Sequence, residues 1–243
     1  MTKTPETKKS MDYSIITESP GLQVTAEQLA RLYHRYRFVR DFAAGKDLLE
    51  VACGSGIGLG YLAGSAAKTV GGDIDKANVA VAKNLYRDDR RIQLVEMDAH
   101  GLPFGGESFD VILLFEALYY LERPHAFVQE AFRLLRRSGH LVICTVNKDW
   151  ADFHPSPYTH RYFSVPHLHG LLVEEFPLVA LYGAFPTVVQ GVLNKMIQLL
   201  KRFAVQFNLI PGTLAARAYL KRLFIGPLQP LPERIHEGIA PYD

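Results

Sequence analysis

Cysteine is scarce in this chain: Cys53 and Cys144 are the only two in 243 residues. Two cysteines cannot make a disulfide framework. Both stand in apolar runs, where a thiol acts as a small buried hydrophobe, so a reducing compartment is the default. Long apolar runs are missing as well, and none reaches the ~20 residues needed to cross a bilayer. Met1–Ser10 is polar, carries Lys3, Lys8 and Lys9, and leads into no apolar signal core. The expectation is a cytoplasmic protein. A surplus of either charge is lacking: 27 Lys and Arg face 25 Asp and Glu, a net of +2. Together with the absence of a separate basic module, this argues against nucleic acid as a partner. No Cys/His cluster has zinc spacing; Asp149, Asp152 and His154 could ligate a divalent ion, but no metal is expected. With 48% hydrophobic and 21% charged residues the chain is neither disordered nor fibrous. Its length suits one full domain with appendages.

Three regions differ in rhythm. Residues 1–24 are polar and end in a Ser19-Pro20-Gly21 turn, which reads as a mobile segment. Residues 25–185 form the core. Thr25 is a good N-cap with Gln28 at the capping-box position. Leu29, Leu32, Tyr33, Tyr36 and Val39 follow at helical spacing, and Gly45 closes that helix. Strands are then predicted at Asp47–Cys53, Ala67–Asp73, Arg91–Asp98, Phe109–Phe115 and His140–Val146. Helices are predicted at Ile57–Ala66, Lys76–Arg87 and Pro124–Arg137. Val111-Ile112-Leu113-Leu114 is apolar without alternation, the pattern of a strand covered on both faces. The implied fold class is α/β, a doubly wound and mostly parallel sheet. An N-terminal helix serves as a lid. Residues 186–243 read as a basic helical C-terminal extension.

Glu50-Val51-Ala52-Cys53-Gly54-Ser55-Gly56-Ile57-Gly58 stands where the first predicted strand hands over to a helix. Glycines there let a ligand approach the backbone, and the helix start offers free N–H groups. A dinucleotide fingerprint requires a third glycine, but position 59 is Leu. Glu50 would repel a pyrophosphate and suits a cationic or zwitterionic ligand. The acid-x-(Gly/Ala)-x-Gly-x-Gly order resembles the first motif of class I S-adenosylmethionine-dependent methyltransferases. Asp73 ends the second strand near the ~20-residue spacing at which an acid meets a ribose diol. Ile74 is placed to cover an adenine face, and Asp75 reads as a helix N-cap. Asp98 resembles the family acid that accepts from the adenine amine, with Ala99 beside it. Leu102-Pro103-Phe104 and Ser108-Phe109-Asp110 resemble the family's approach to its fourth strand, which ends at Phe115-Glu116-Ala117-Leu118 near the expected transfer pocket. Asp110 reads as a turn-positioning residue.

The resemblance spans about Leu48 to Val146. It implies S-adenosylmethionine as cofactor and S-adenosylhomocysteine as product. The implied cofactor residues are Glu50, Ala52, Gly54, Gly56, Asp73, Ile74, Asp98, Ala99 and Phe115. Methylating a hydroxyl also calls for a base. His154, in an aromatic-rich loop after the fifth strand, is the first choice. His160 is second, with His100, His125, His167, Tyr119 and Tyr120 as further candidates.

No Asp or Glu occurs from Phe176 to Pro232, while Lys195, Lys201, Arg202, Arg217, Lys221 and Arg222 do. An amphipathic basic helix of this kind suits an anionic membrane surface or a phosphate-bearing or lipid-linked acceptor. A core-facing helix with solvated Lys and Arg fits the same pattern. The stretch from Leu209 to Pro232 resembles bacterial methyltransferases of cell-surface polysaccharide pathways, implying a sugar or glycan hydroxyl as acceptor. A quinone-like or other small aromatic acceptor is the alternative, and a non-catalytic cofactor-binding subunit is the rival class.

Overall fold

The computed structural model describes residues 17–150, 153, 155–156, 158–184 and 227–240. Strand β1 (Gln23–Thr25) leads into helix α1 (Ala26–Ala43) through the expected capping box, in which the Gln28 N–H donates to Thr25 Oγ1 and the Thr25 N–H to Gln28 Oε1. Then come β2 (Asp47–Val51), α2 (Leu59–Ala63), β3 (Lys68–Asp73), α3 (Lys76–Leu85) and β4 (Ile92–Glu96). They are followed by β5 (Phe109–Phe115), a 3-10 turn (Leu118–Tyr120), α4 (Pro124–Leu134), β6 (Leu135–Cys144), α5 (Val165–Val173) and β7 (Leu228–Pro230).

Five strands form one parallel sheet in the order β4-β3-β2-β5-β6. The order reverses at β2, whose successor β3 lies on one side while β5 lies on the other. That switch point opens a crevice beyond the carboxyl ends of the strands. Val111, Ile112, Leu113 and Leu114 are fully buried, as their unalternating sequence predicts. Ile112 and Leu114 join the core under α4 and α5, with Phe127, Ala131 and Leu171. Val111 and Leu113 join the core under α1, with Leu32, Tyr36 and Val39.

Several boundaries differ from expectation. α2 begins at Leu59, not Ile57, because residues 54–58 are spent on turns. α4 stops at Leu134, not Arg137, because Arg136 is needed elsewhere. Its guanidinium bonds Asp110 and Asp47, each at 2.8 Å, tying β6 to β5 and β2. Asp110 also accepts from the Asp47 N–H at 2.9 Å, the positioning role its sequence context suggests. The added turn of β6 includes Ser138 at φ 66° and a slip in register against β5.

The sequence gives no sign of the β1–β7 pair. Gln23 pairs with Pro230 and Thr25 with Leu228 in antiparallel register, so residues 17–24, assigned by composition to a mobile segment, pack against the core. Residues 227–240 are strand and turn here, not helix. Leu231 and Ile235 are buried beside α1. Glu237 accepts from Tyr33 at 2.6 Å and Tyr61 at 3.0 Å and pairs with Arg40. Residues 1–16 and the basic stretch 186–226 lie outside the described residues. Among those described, no helix is long and apolar enough to cross a membrane.

Gly58 is required by close approach. A Cβ there would lie 2.0 Å from the Tyr36 ring, and that ring is buried and bonded through its hydroxyl to Glu50. Gly58→Ala is expected to destabilise the chain by about 1–3 kcal/mol, the usual cost of overpacking. The measurement is a lower urea midpoint at unchanged m-value.

Candidate active site

A cavity of about 1120 Å³ opens at the crevice and is lined from the ends of β2, β3, β5 and β6 together with α1. The loop after β2 reaches it through two left-handed residues, Ala52 at φ 56° and Gly54 at φ 57°. At Gly54 a side chain would be strained and would also meet Thr17 Cγ2 at 2.8 Å. The loop is held by Asp73, whose Oδ2 accepts the Gly54 N–H at 2.8 Å and Oδ1 the Asp75 N–H at 2.9 Å. Burial raises the Asp73 carboxyl above its ordinary range, against the pull of these hydrogen bonds. A carboxylate has about four acceptor sites, so capacity remains for further hydroxyl donors. Asp75 caps α3, accepting from the Ala77 N–H at 2.8 Å.

Glu50 is 2% exposed. Tyr36 donates to its Oε1 at 2.6 Å, while the buried Oε2 has no hydrogen-bond partner. Burial pushes the carboxyl up to about 7, against the opposing hydrogen bond of Tyr36 and charge of Arg35. Arg35 lines the same cavity, 5.6 Å from the centre of the Tyr36 ring and 5.9 Å from that of Phe115. Burial works against its charge, but Glu18, Tyr36 and Glu116 outweigh that. The guanidinium pairs with Glu18. A carboxylate with an unpartnered oxygen and a guanidinium on two lining residues suit an α-amino acid zwitterion, the group at the methionine end of S-adenosylmethionine.

Asp98 accepts from both the His100 N–H at 2.9 Å and the His100 ring Nδ1 at 2.6 Å. Burial opposes its ionisation, but these bonds prevail and hold the carboxyl below its ordinary range. The His100 Nε2 accepts the Arg123 N–H at 3.2 Å, which assigns the ring proton to Nδ1.

Of the nine residues the resemblance implies, Glu50, Ala52, Gly54, Asp73, Ile74, Asp98, Ala99 and Phe115 line the cavity. Gly56 does not. At φ 76° it shapes the loop, and its carbonyl accepts from the Tyr86 hydroxyl at 2.8 Å. The first-choice base, His154, lies outside the described residues. The other histidines are occupied or elsewhere. His100 lines the cavity but is bonded through both ring nitrogens. His160 lines a separate surface cleft with Arg123 and Arg161. His125 meets Glu174, and His167 meets the α5 N-cap Ser164. Tyr119 and Tyr120 both line the cavity and pack edge-on, their ring centres 4.5 Å apart. Among the described residues no group of three or more His, Cys, Asp or Glu could hold a metal.

Arg35 and Tyr36 are the site residues that sequence reasoning misses. Helical spacing marks Tyr36 as a core residue, and nothing local shows that its hydroxyl ends on Glu50.

Comparison with known proteins agrees with this geometry. Residues 49–143 match the family model of the methyltransferase domain. A demethylmenaquinone methyltransferase of Clavibacter sepedonicus is 33% identical over 101 residues, 42% of this chain and 41% of that one. A phthiotriol/phenolphthiotriol dimycocerosates methyltransferase of Mycobacterium tuberculosis is 35% identical over 127 residues, 51% of this chain and 44% of that one. A probable S-adenosylmethionine-dependent methyltransferase of the same species is 29% identical over 173 residues, 68% of this chain and 61% of that one. The chain thus spans 41% to 61% of the length of these curated relatives. Among solved structures, an S-adenosylmethionine-dependent methyltransferase from Aquifex aeolicus superposes with a TM-score of 0.53 at 18% identity, covering 63% of this chain and 88% of that one. The [4+2]-cyclase SpnF superposes with a TM-score of 0.56 at 22% identity, covering 65% and 64%.

The fold is the Rossmann-like fold of class I S-adenosylmethionine-dependent methyltransferases. Residues 49–143 match the methyltransferase domain, and S-adenosylmethionine is the cofactor that the match implies.

Proposed function

We propose that the chain transfers the methyl group of S-adenosylmethionine to a hydroxyl on an aromatic or lipid-like acceptor. The observation that carries the methyl-donor reading is that Glu50, whose buried Oε2 has no hydrogen-bond partner, and Arg35 both line the cavity. A fold alone would not suffice, since a neighbour of the same fold is a [4+2]-cyclase.

The cofactor supplies an activated sulfonium methyl group, so the protein's part is to bind, orient and exclude water. In this reading Glu50 accepts from the ammonium and Arg35 donates to the carboxylate of the methionine end. Asp73 accepts from the ribose diol. Asp98, held by His100, accepts from the adenine amine, and Ile74 covers the ring.

Beyond the residues assigned to the cofactor, the cavity is lined by Tyr119, Tyr120, Leu121, Trp150, Leu181 and Tyr182, with the polar Asn147 and Asp149 among them. Such a wall favours an apolar or aromatic acceptor. The menaquinone precursor and the phthiotriol lipid named for two relatives are acceptors of that kind. The glycan acceptor rests on the C-terminal sequence pattern, whose residues 209–226 lie outside those described. A membrane-facing or phosphate-binding role for the basic stretch stands on the same footing.

The acceptor class is tested with S-adenosylmethionine labelled in its methyl group and the full chain, offered extracted lipids and quinols in one arm and extracted glycans in the other. Label is expected in the organic phase. Label confined to the glycan fraction would contradict the apolar acceptor. NAD is expected not to bind, because Glu50 repels a pyrophosphate and Leu59 replaces the third glycine. Calorimetry with NAD checks this directly.

A further inference from the structure

Glu116 has no role in the cofactor reading. It follows Phe115 at the end of β5, with φ at 50°. A side-chain-bearing residue in the left-handed region is costly and persists where its surroundings over-determine it. Here the Glu116 N–H is fixed to the Cys144 carbonyl at 2.8 Å. Glu116 lines the cavity, and its carboxylate has only weak protein partners. Tyr119 donates to Oε2 at 3.2 Å and the Cys144 thiol to Oε1 at 3.5 Å. The first is longer than a usual O–H···O bond, and a thiol is a weak donor.

The other groups at this end are poor proton acceptors near neutral pH. Burial raises the Tyr119 and Tyr120 hydroxyls and pushes the Cys144 thiol up to about 12. Both ring nitrogens of His100 are bonded, and Arg35 is a cation. Glu18 is paired with Arg35, and Glu50 is bonded to Tyr36. Asp149 lines the cavity but is exposed. Burial raises the Glu116 carboxyl, while Arg35 opposes the rise.

We propose that Glu116 is the proton acceptor for an aromatic hydroxyl held against Tyr119 and Tyr120. The proposal rests on the methyl-transfer reading above. The acceptor O–H bond breaks and its proton passes to a Glu116 carboxylate oxygen. The hydroxyl oxygen bonds to the methyl carbon, and the carbon–sulfur bond breaks with its electron pair remaining on sulfur. A sulfonium cation and a carboxylate anion thus become a neutral thioether and a neutral carboxylic acid. An aromatic hydroxyl, with a pKa of about 10 in tyrosine, is far better matched to a carboxylate base than an aliphatic one.

The test uses the full chain, methyl-labelled S-adenosylmethionine and 2-naphthol as the probe acceptor. Glu116→Gln is expected to lower kcat at least ~100-fold, within the usual range for general-base catalysis. S-adenosylhomocysteine affinity should stay within about threefold, because the cofactor reading assigns Glu116 no contact. Glu116→Asp, which keeps a carboxylate, should retain part of the activity if the Gln variant fails to fold. Wild-type kcat should rise with pH through one ionisation that is absent from Glu116→Gln. The proposal is overturned if Glu116→Gln keeps its kcat, or if Asp149→Asn causes the loss. It is overturned equally if wild type binds S-adenosylhomocysteine yet leaves 2-naphthol unmethylated. Failure of wild type to bind S-adenosylhomocysteine would overturn the methyl-transfer reading instead.

Discussion

Asp73→Ala is expected to weaken S-adenosylhomocysteine binding by at least ~100-fold, about 2.7 kcal/mol. Two effects combine. The variant loses an acceptor for both ribose hydroxyls, and hydrogen bonds to a charged group are worth about 1.5–3 kcal/mol each. It also frees the Gly54 and Asp75 N–H groups, which Asp73 holds at 2.8 and 2.9 Å, so the glycine loop loses its tether to β3. Asp73→Asn should fall between the two, because an amide keeps only one of the two accepting oxygens. Titration calorimetry on the three proteins gives the affinities. Circular dichroism confirms that the sheet is intact, as expected when most of the core lies elsewhere.

Glu50→Gln should move affinity and stability in opposite directions. In the ligand-free protein burial raises the Glu50 carboxyl from an ordinary 4.5 to about 7. The folded state therefore binds a proton more tightly than the unfolded state. This group's contribution to stability is largest below 4.5 and declines as pH rises from there to about 7. Above that range an ionised, half-satisfied carboxylate is buried, and Gln removes its charge while still accepting from Tyr36. The variant should be more stable than wild type at about pH 8. Ligand binding has the reverse sign, because the ammonium needs the carboxylate. Wild-type affinity should fall as pH drops below 7, by up to tenfold per pH unit. In Glu50→Gln affinity should be weak, and its dependence on pH in this range flat. Calorimetry across that range, with thermal melts of the free proteins, separates the two effects.

The parts of this protein legible in its sequence are those in which physics is local. Thr25 and Gln28 stand three residues apart, so their capping box is visible as a pattern. The β2 loop is visible because glycines between a strand and a helix have a backbone reason to be there. Asp73 is visible by its distance along the chain from that loop. The remainder depends on residues far apart in sequence. Gln23 meets Pro230 across some two hundred residues, and no local feature of either short segment marks the pairing. Arg35 and Tyr36 lie on a helix whose periodicity shows which side faces inward, but not which carboxylate waits there. His100 shows the limit most clearly. Its position suggests a base, and only the geometry shows both nitrogens committed to Asp98 and Arg123. The end of α4 is a similar case, since the helical pattern runs on while Arg136 answers to Asp47 and Asp110.

The measurement that bears most directly on the cofactor site is a calorimetric titration of the full chain with S-adenosylhomocysteine and, separately, with NAD. The expected result is one-to-one binding of S-adenosylhomocysteine that weakens on acidification below about pH 7 and is nearly lost in Asp73→Ala, with no heat from NAD. Saturable NAD binding by a folded protein that gives no response to S-adenosylhomocysteine would contradict it.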